Sequence, residues 1–232
     1  MRRGMAEALR SARRAGQAVV LFTPLDGSAQ RLLDAEGLAL LALTDPELAA
    51  AAREAMRGDR AAVIAHQGRE LLLTPHNPPL RLCVVGAVHI SEALCTMARQ
   101  CGYAVTVIDP RAAFLRADRF PGVTLIGEWP QQAFAQLAPD ARTAVVLLTH
   151  DPKIDDPALL AVLSTPAFYV GALGSTRTHA KRLERLTAAG VSEIDRARIH
   201  GPAGLSIGAR TPAEIAVSVL AQITQVLRSA KS

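Results

Sequence analysis

From Leu80 onward the chain is punctuated by short, almost wholly apolar runs: "CVVG" ending at Gly86, "VTVI" ending at Ile108 and "AVVLL" ending at Leu148. A strand with one wet face alternates apolar and polar side chains. Strands made from these runs must be buried on both faces. Segments of helical spacing separate them, so the pattern reads β-α-β-α, and the arrangement that buries it is a parallel sheet with helices on both sides. The runs predict strands at 80–85, 103–108, 123–126, 143–148 and 168–171. Helices are predicted at 91–100, 131–137, 157–163, 176–188 and 212–227. Hydrophobic residues make up 50% of the chain and aromatics 3%. The core is therefore packed from Ala, Leu and Val, which suits close-packed α/β layers.

Residues 1–79 read as a separate, small α/β unit. A helix ends near Gly16, a strand covers 17–25, and "DGS" breaks it. The run "LALLAL" at 38–43 reads as a second apolar strand. In "DPELAAAAREAMRG", Asp45 is placed to cap a helix, Pro46 fits its first position and Gly58 its end. "AAVIAH" and "RELLLT" flank Gln67-Gly68 as a hairpin. His66 and His76 stand alone. "PHNPPL", Pro75 to Leu80, should interrupt regular structure, because proline lacks an N–H and restricts the residue before it. The expected domains are 1–79 and 80–232.

Composition narrows the function classes. The net charge of +5 is mild, and arginines gather only weakly in the first segment (Arg2, Arg3, Arg10, Arg13, Arg14), as on a solvated helix face. Platforms on which bases could stack are scarce, so nucleic acid is not an expected partner. No run of about 18 apolar residues predicts a membrane span, and no signal-peptide pattern is visible. Cys83, Cys95 and Cys101 lack metal-site or disulfide spacing and read as small buried hydrophobes. A cytoplasmic location is expected.

Five stretches carry polar groups where chemistry would need them. Gly86-Ala87-Val88-His89-Ile90-Ser91 follows the first strand like a dinucleotide fingerprint. Valine fills the position where glycine would let the pyrophosphate approach, and Ser91 stands at the third position as a small N-cap. Asp109 ends the next strand, 23 positions after Gly86, close to the spacing of a ribose-binding acid. Alone, these residues leave an altered ligand site and no ligand site equally open. Asp109 with Arg111 pairs an acceptor with a five-donor fork, either for a ligand or as a turn-shaping ion pair. "THDPKIDDP" places His150, Asp151, Asp155 and Asp156 beyond a buried strand. The spacing is poor for zinc, and Asp156 before Pro157 reads as a helix cap, so a polar rim for an organic ligand is preferred over a metal. In "YVGALGSTR", Gly171, Gly174 and Ser175 lead into a helix whose first turns hold Arg177 and Lys181, the best anion seat in the chain. Thr211-Pro212-x-Glu214 is a capping box. No nucleophile–base pair is visible.

Taken together, "NPPLRLCVVGAVHISEAL", "GYAVTVIDPR", "RFPGV", "LLTHDPKIDDPAL", "YVGALGS" and "GLSIGARTPAEIAVSVLAQI" resemble, in motif order, the C-terminal half of the XdhC/CoxI family over about residues 77–228. The resemblance implies a Rossmann-like domain. It also implies an accessory role in which molybdenum cofactor is held while a cysteine desulfurase supplies sulfur, then delivered to a xanthine dehydrogenase-type enzyme. The implied cofactor-binding rim is Gly86, His89, Asp109, Arg111, His150, Asp151, Gly171, Gly174, Ser175 and Arg177, with no catalytic residue and no metal ligand. A second copy of the chain is a candidate partner. Two departures stand out. The family's Gly-Ala-Gly-His is here Gly-Ala-Val-His. The Gly-Ser-Ser-Pro-Arg and Gly-Gly-Cys-Glu runs of its N-terminal domain are absent from residues 1–79. The rivals are an NAD(P)-dependent oxidoreductase on the same fold and a ligand-free module that docks a molybdoenzyme.

Overall fold

The computed structural model describes residues 3–229; Arg2 lies outside them. The chain divides into two compact units, one reaching to Pro78 and the other starting at Pro79.

The first unit runs α1 (Arg3–Arg14), β1 (Val19–Pro24), β2 (Arg31–Leu33), α2 (Ala35–Thr44), α3 (Pro46–Gly58), β3 (Ala62–His66) and β4 (Arg69–His76). Its sheet is antiparallel in the order β2-β1-β4-β3. Successive β1 side chains go to opposite faces. Val20 and Phe22 pack with Leu38, Leu41, Leu48, Ala49 and Ala52 of α2 and α3, while Val19 packs with Leu9 and Ala12 of α1. Four expectations change here. "LALLAL" is helix, not strand. Asp34 caps it by accepting the Gly37 N–H at 2.9 Å, Leu38 and Leu41 are buried one turn apart, and Leu40 and Leu43 face solvent. The strand before the proline-rich bridge continues through Pro75 to His76, paired with Val20 and Val19 of β1. His66 is not solitary, since its Nε2 lies 2.7 Å from Asp45 Oδ2. Asp45 caps α3 as expected, but the left-handed C-cap is Asp59 rather than Gly58.

The second unit runs β5 (Arg81–Val85), α4 (His89–Gln100), β6 (Ala104–Ile108), β7 (Thr124–Ile126), α5 (Pro130–Leu137), β8 (Thr143–Leu147), α6 (Pro152–Leu163), β9 (Tyr169–Ala172), α7 (Thr176–Ala188), α8 (Glu193–Ala197), β10 (Ile199–His200) and α9 (Pro212–Ser229). All six strands are parallel in the order β10-β9-β8-β5-β6-β7. That is the doubly wound order of dinucleotide-binding sheets, with its switch point between β5 and β8. On one face Leu82, Val84, Val105, Val107 and Val146 pack against Leu94 and Ala98 of α4 and Val219 and Ile223 of α9. On the other, Cys83, Val85, Ile108, Val145 and Leu147 pack against Phe134 of α5, Leu159 and Val162 of α6 and Leu186 of α7. Each such buried side chain contributes roughly 1.5–3 kcal/mol. The doubly buried strands are thus those expected from their mostly apolar runs.

Two local expectations fail. α6 starts at Pro152, capped by Asp151, which accepts the Lys153 N–H at 2.9 Å; Pro157 lies inside the helix and Asp156 is not its cap. Cys101 is exposed at the end of α4, unlike Cys83 and Cys95. Burial pushes those two thiols up to about 11 and about 12. The Thr211–Glu214 capping box forms: Glu214 accepts the Thr211 N–H at 2.9 Å, and Thr211 Oγ accepts the Glu214 N–H at 3.3 Å. Among the described residues no helix is long and apolar enough to cross a membrane.

Candidate functional site

The C-terminal edge of the parallel sheet gathers the turns after β5, β6, β8 and β9, where ligands of such sheets bind. The turn after β5 is tied shut from within. Gly86 has a φ of +109°, and a β-carbon there would stand 2.8 Å from Thr149 Cγ2 and 3.2 Å from the Thr149 backbone N. Glycine is required for both conformation and space. Val88, not Ser91, is the N-cap of α4. Ser91 is fully buried within the first turn; its hydroxyl donates to the Gly86 carbonyl oxygen and accepts the Val88 N–H at 3.3 Å.

Asp109 is fully buried at the end of β6. Its Oδ2 accepts the Ala87 N–H at 2.8 Å and Arg111 Nη2 at 2.8 Å. Its Oδ1 accepts the Arg111 backbone N–H at 3.0 Å and Nε at 2.9 Å. A carboxylate offers about four acceptor positions, and all four are taken. Burial alone would raise its pKa. The Arg111 fork and the Ala87 N–H outweigh that and hold it below the ordinary carboxylate value. The bonds to Asp109 raise the pKa of Arg111 against a smaller burial penalty, and Asp151 and Asp155 on the neighbouring turn add to the rise. The Arg111 guanidinium also lies 4.6 Å from the centre of the Phe114 ring.

Arg119, to which the sequence motifs assign no role, locks this corner. Its Nε and Nη2 donate to Glu92 Oε1, and its Nη1 donates to the carbonyls of Ala87 and Phe114 at 3.1 and 2.9 Å. His89, the first residue of α4, is exposed, with Nδ1 3.6 Å from Glu92 Oε1.

The turn after β8 holds His150 in the left-handed region at φ +58°. Thr149 donates its hydroxyl to Asp155 and accepts the Asp151 N–H at 3.2 Å. Asp155 is buried, and burial raises its pKa, with the Thr149 hydroxyl and then Arg182 opposing. Asp156 accepts Arg185 in a two-pronged pair, at 2.9 Å for the Nη2 arm. The carboxylates weighed as metal ligands therefore have structural duties. Among the described residues no group of three or more His, Cys, Asp and Glu is placed to hold a metal.

After β9, Gly174 takes a φ of +140°. Ser175 caps α7 by accepting the Thr178 N–H at 3.1 Å. Arg177 and Lys181 are exposed on the next turns. Between the starts of α6 and α7 lies a cavity of about 320 Å³ lined by His150, Asp155, Arg177, Lys181, Arg182 and Arg185, among others. Gly171 is not at this rim. It is buried within β9, and a β-carbon there would run into the Tyr169 ring, so the glycine makes room for an aromatic that stacks on His200 with centroids 4.8 Å apart. Arg182, buried on α7 next to Lys181 in the chain, is the second residue to which motif reading gives no role.

A family model described as the XdhC Rossmann domain matches residues 82–223. The chain belongs to that family. It is 34% identical over 160 residues to the uncharacterized protein YqeB of Escherichia coli, covering 69% of this chain and 30% of that protein. It is 34% identical over 149 residues to the molybdenum cofactor insertion chaperone PaoD of E. coli, covering 64% of this chain and 41% of PaoD. The same identity and length relate it to a probable xanthine dehydrogenase subunit of Bacillus subtilis, with 43% of that protein covered. The chain thus spans less than half the length of each of these relatives. A crystal structure from Bacillus halodurans described as a xanthine dehydrogenase aligns with a TM-score of 0.60 and 20% identity, covering 97% of this chain and 94% of that one. At that identity the likeness is one of fold.

Proposed function

We propose that this chain is an accessory protein that binds molybdenum cofactor, supports its sulfuration with a cysteine desulfurase, and passes it to a molybdenum hydroxylase of the xanthine dehydrogenase type in the cytoplasm. The cofactor is cargo here. Membership of the family and the likeness to PaoD, a molybdenum cofactor insertion chaperone, support the reading. The observation that carries it beyond family is the saturated Asp109. An NAD-dependent enzyme on this sheet needs a free carboxylate for the ribose hydroxyls, and NAD and NADP alike need an open glycine turn for the pyrophosphate. This chain spends the carboxylate on Ala87 and Arg111 and places Val88 in the turn. The sheet edge keeps the shape of a nucleotide site without its nucleotide contacts. Its polar rim, from His89 and Arg111 past His150 and Asp151 to Gly174, Ser175 and Arg177, offers hydrogen bonds and positive charge but no paired nucleophile and base. That suits holding a ligand more than turning it over.

The test is a ligand inventory on protein purified anaerobically from molybdenum-replete cells. Metal analysis should find molybdenum in near-stoichiometric amount, and the fluorescence of oxidised pterin should accompany it. Protein free of both, and unable to take up cofactor released from a molybdoenzyme, would defeat the reading.

A further inference from the structure

The start of α7 contradicts ordinary helix electrostatics. Helix N-termini carry partial positive charge and favour Asp and Glu in the first turn. The first turn of α7 has no acidic residue and holds Arg177 instead. Lys181 follows four positions later and Arg185 four after that, a spacing at which like charges repel. Arg185 is neutralised by Asp156. Among the described residues no hydrogen bond or ion pair engages the side chains of Arg177 and Lys181, which line the cavity mouth.

A second, independent feature lies deeper. Arg182 lines the same cavity and is only 2% exposed. Its Nη2 donates to the Leu173 carbonyl at 2.8 Å, but its buried Nε has no hydrogen-bond partner. Asp155 is 3.8 Å from Nη2, too far for a hydrogen bond, and shares its other oxygen with Thr149. The guanidinium is held by that one carbonyl bond, with His179 Nδ1 3.5 Å from Nη1 and the Asp155 carboxylate at a distance, so its positive charge at the cavity wall is only partly compensated. The first N–H groups of α7 also lack intrahelical acceptors by helix geometry.

We propose that the cavity between α6 and α7 seats the terminal phosphate of a phosphate monoester, with Arg182 as the buried donor and Arg177 and Lys181 closing over the dianion. This seat is on the β8–β9 half of the sheet, away from the β5–α4 turn where a dinucleotide's pyrophosphate would lie. It rests on the carrier reading only for what the phosphate is attached to; the seat itself is independent of molybdenum.

The experiment is calorimetric titration of the purified full chain with phenyl phosphate and with inorganic phosphate. The wild type should bind both. The surface double variant R177Q/K181Q, which spares the core, should weaken binding roughly tenfold or more, the scale of lost charge-assisted hydrogen bonds. R182K, which keeps charge but loses the fork, should weaken it as well. R116Q, the loss of an exposed arginine paired with Asp118, should bind as wild type. Absence of binding by the wild type, or equal binding by R177Q/K181Q, overturns the seat. Phosphate binding by protein that neither holds cofactor nor takes it up when it is released from a molybdoenzyme would keep the seat and defeat the carrier reading. Cofactor retained unchanged by R177Q/K181Q would do the reverse.

Discussion

Replacing Asp109 with asparagine tests whether the β5–α4 turn is closed by the protein's own hydrogen bonds. The side chain keeps its volume, but one carboxylate oxygen becomes an amide nitrogen. Whichever way the amide turns, its N–H₂ faces donors: either Ala87 N–H with Arg111 Nη2, or the Arg111 backbone N–H with Nε. Breaking a buried ion pair by removing one partner costs about 3–5 kcal/mol. The Arg111 side chain is 38% exposed, so water recovers part of its solvation. The net loss should be about 2–3 kcal/mol, most of it from the buried Ala87 N–H and the lost charge. The sign of the pH dependence follows from the lowered pKa of Asp109. A carboxylate depressed on folding stabilises fully above its unfolded value, ordinarily 3.8, and that stability is lost as pH falls through the folded value. Asparagine does not titrate, so the gap between wild type and variant should be widest at neutral pH and close in acid. Trp129, the only tryptophan, lies at the start of α5 and reports the parallel-sheet unit by fluorescence. With a urea m-value of about 2 kcal/mol/M, the midpoint at pH 7 should fall by about 1 M. An unchanged midpoint at pH 7, or a gap that persists undiminished at pH 3, would refute the reasoning.

Two further substitutions probe the same turn. Val88→Gly restores the missing glycine of the dinucleotide fingerprint, yet it should give no NAD binding by calorimetry, because Asp109 remains fully engaged; micromolar NAD affinity would show that the valine alone closed the seat. Gly86→Ala should cost about 2–4 kcal/mol in urea unfolding, from the positive φ and the approach to Thr149. Adding Thr149→Ser removes the methyl at 2.8 Å but not the backbone N at 3.2 Å, so it should restore only part of the loss.

The parallel sheet was legible because its central strands are short, mostly apolar runs that alternate with segments of helical spacing. "LALLAL" shows the limit of the same signal: six apolar residues in a row have no period, and the deciding facts were the Asp34 cap and the exposure of Leu40 and Leu43. Pro157 misplaced the start of α6, because proline at a first helical position and proline tolerated inside a helix look alike in sequence. Asp151-Pro152, five residues earlier, was the same signal in its proper place. Asp109 and Arg111 were found as a pair, but neither spacing nor residue type reveals that the pair turns inward onto Ala87. Arg119 and Arg182 were missed for another reason. One acts through Glu92, 27 positions away, and the other is a buried cation inside a charged helical stripe. Sequence reading assigns such a residue to the solvated face.

The two halves of the sheet edge differ in kind. On the β5–β6 side every strong group has found a partner within the protein: Asp109 with Ala87 and Arg111, Glu92 with Arg119, Ser91 with Gly86. On the β9 side the balance is reversed, with Arg177 and Lys181 unengaged among the described residues and one N–H of Arg182 buried and unpaired. Satisfied groups rigidify a turn, whereas unsatisfied donors in a cavity keep affinity in reserve for an anion. The carrier role proposed above would gain from this division. A ligand held mainly by charge at an open mouth, on a frame that does not need it to stay folded, can leave without unfolding the site.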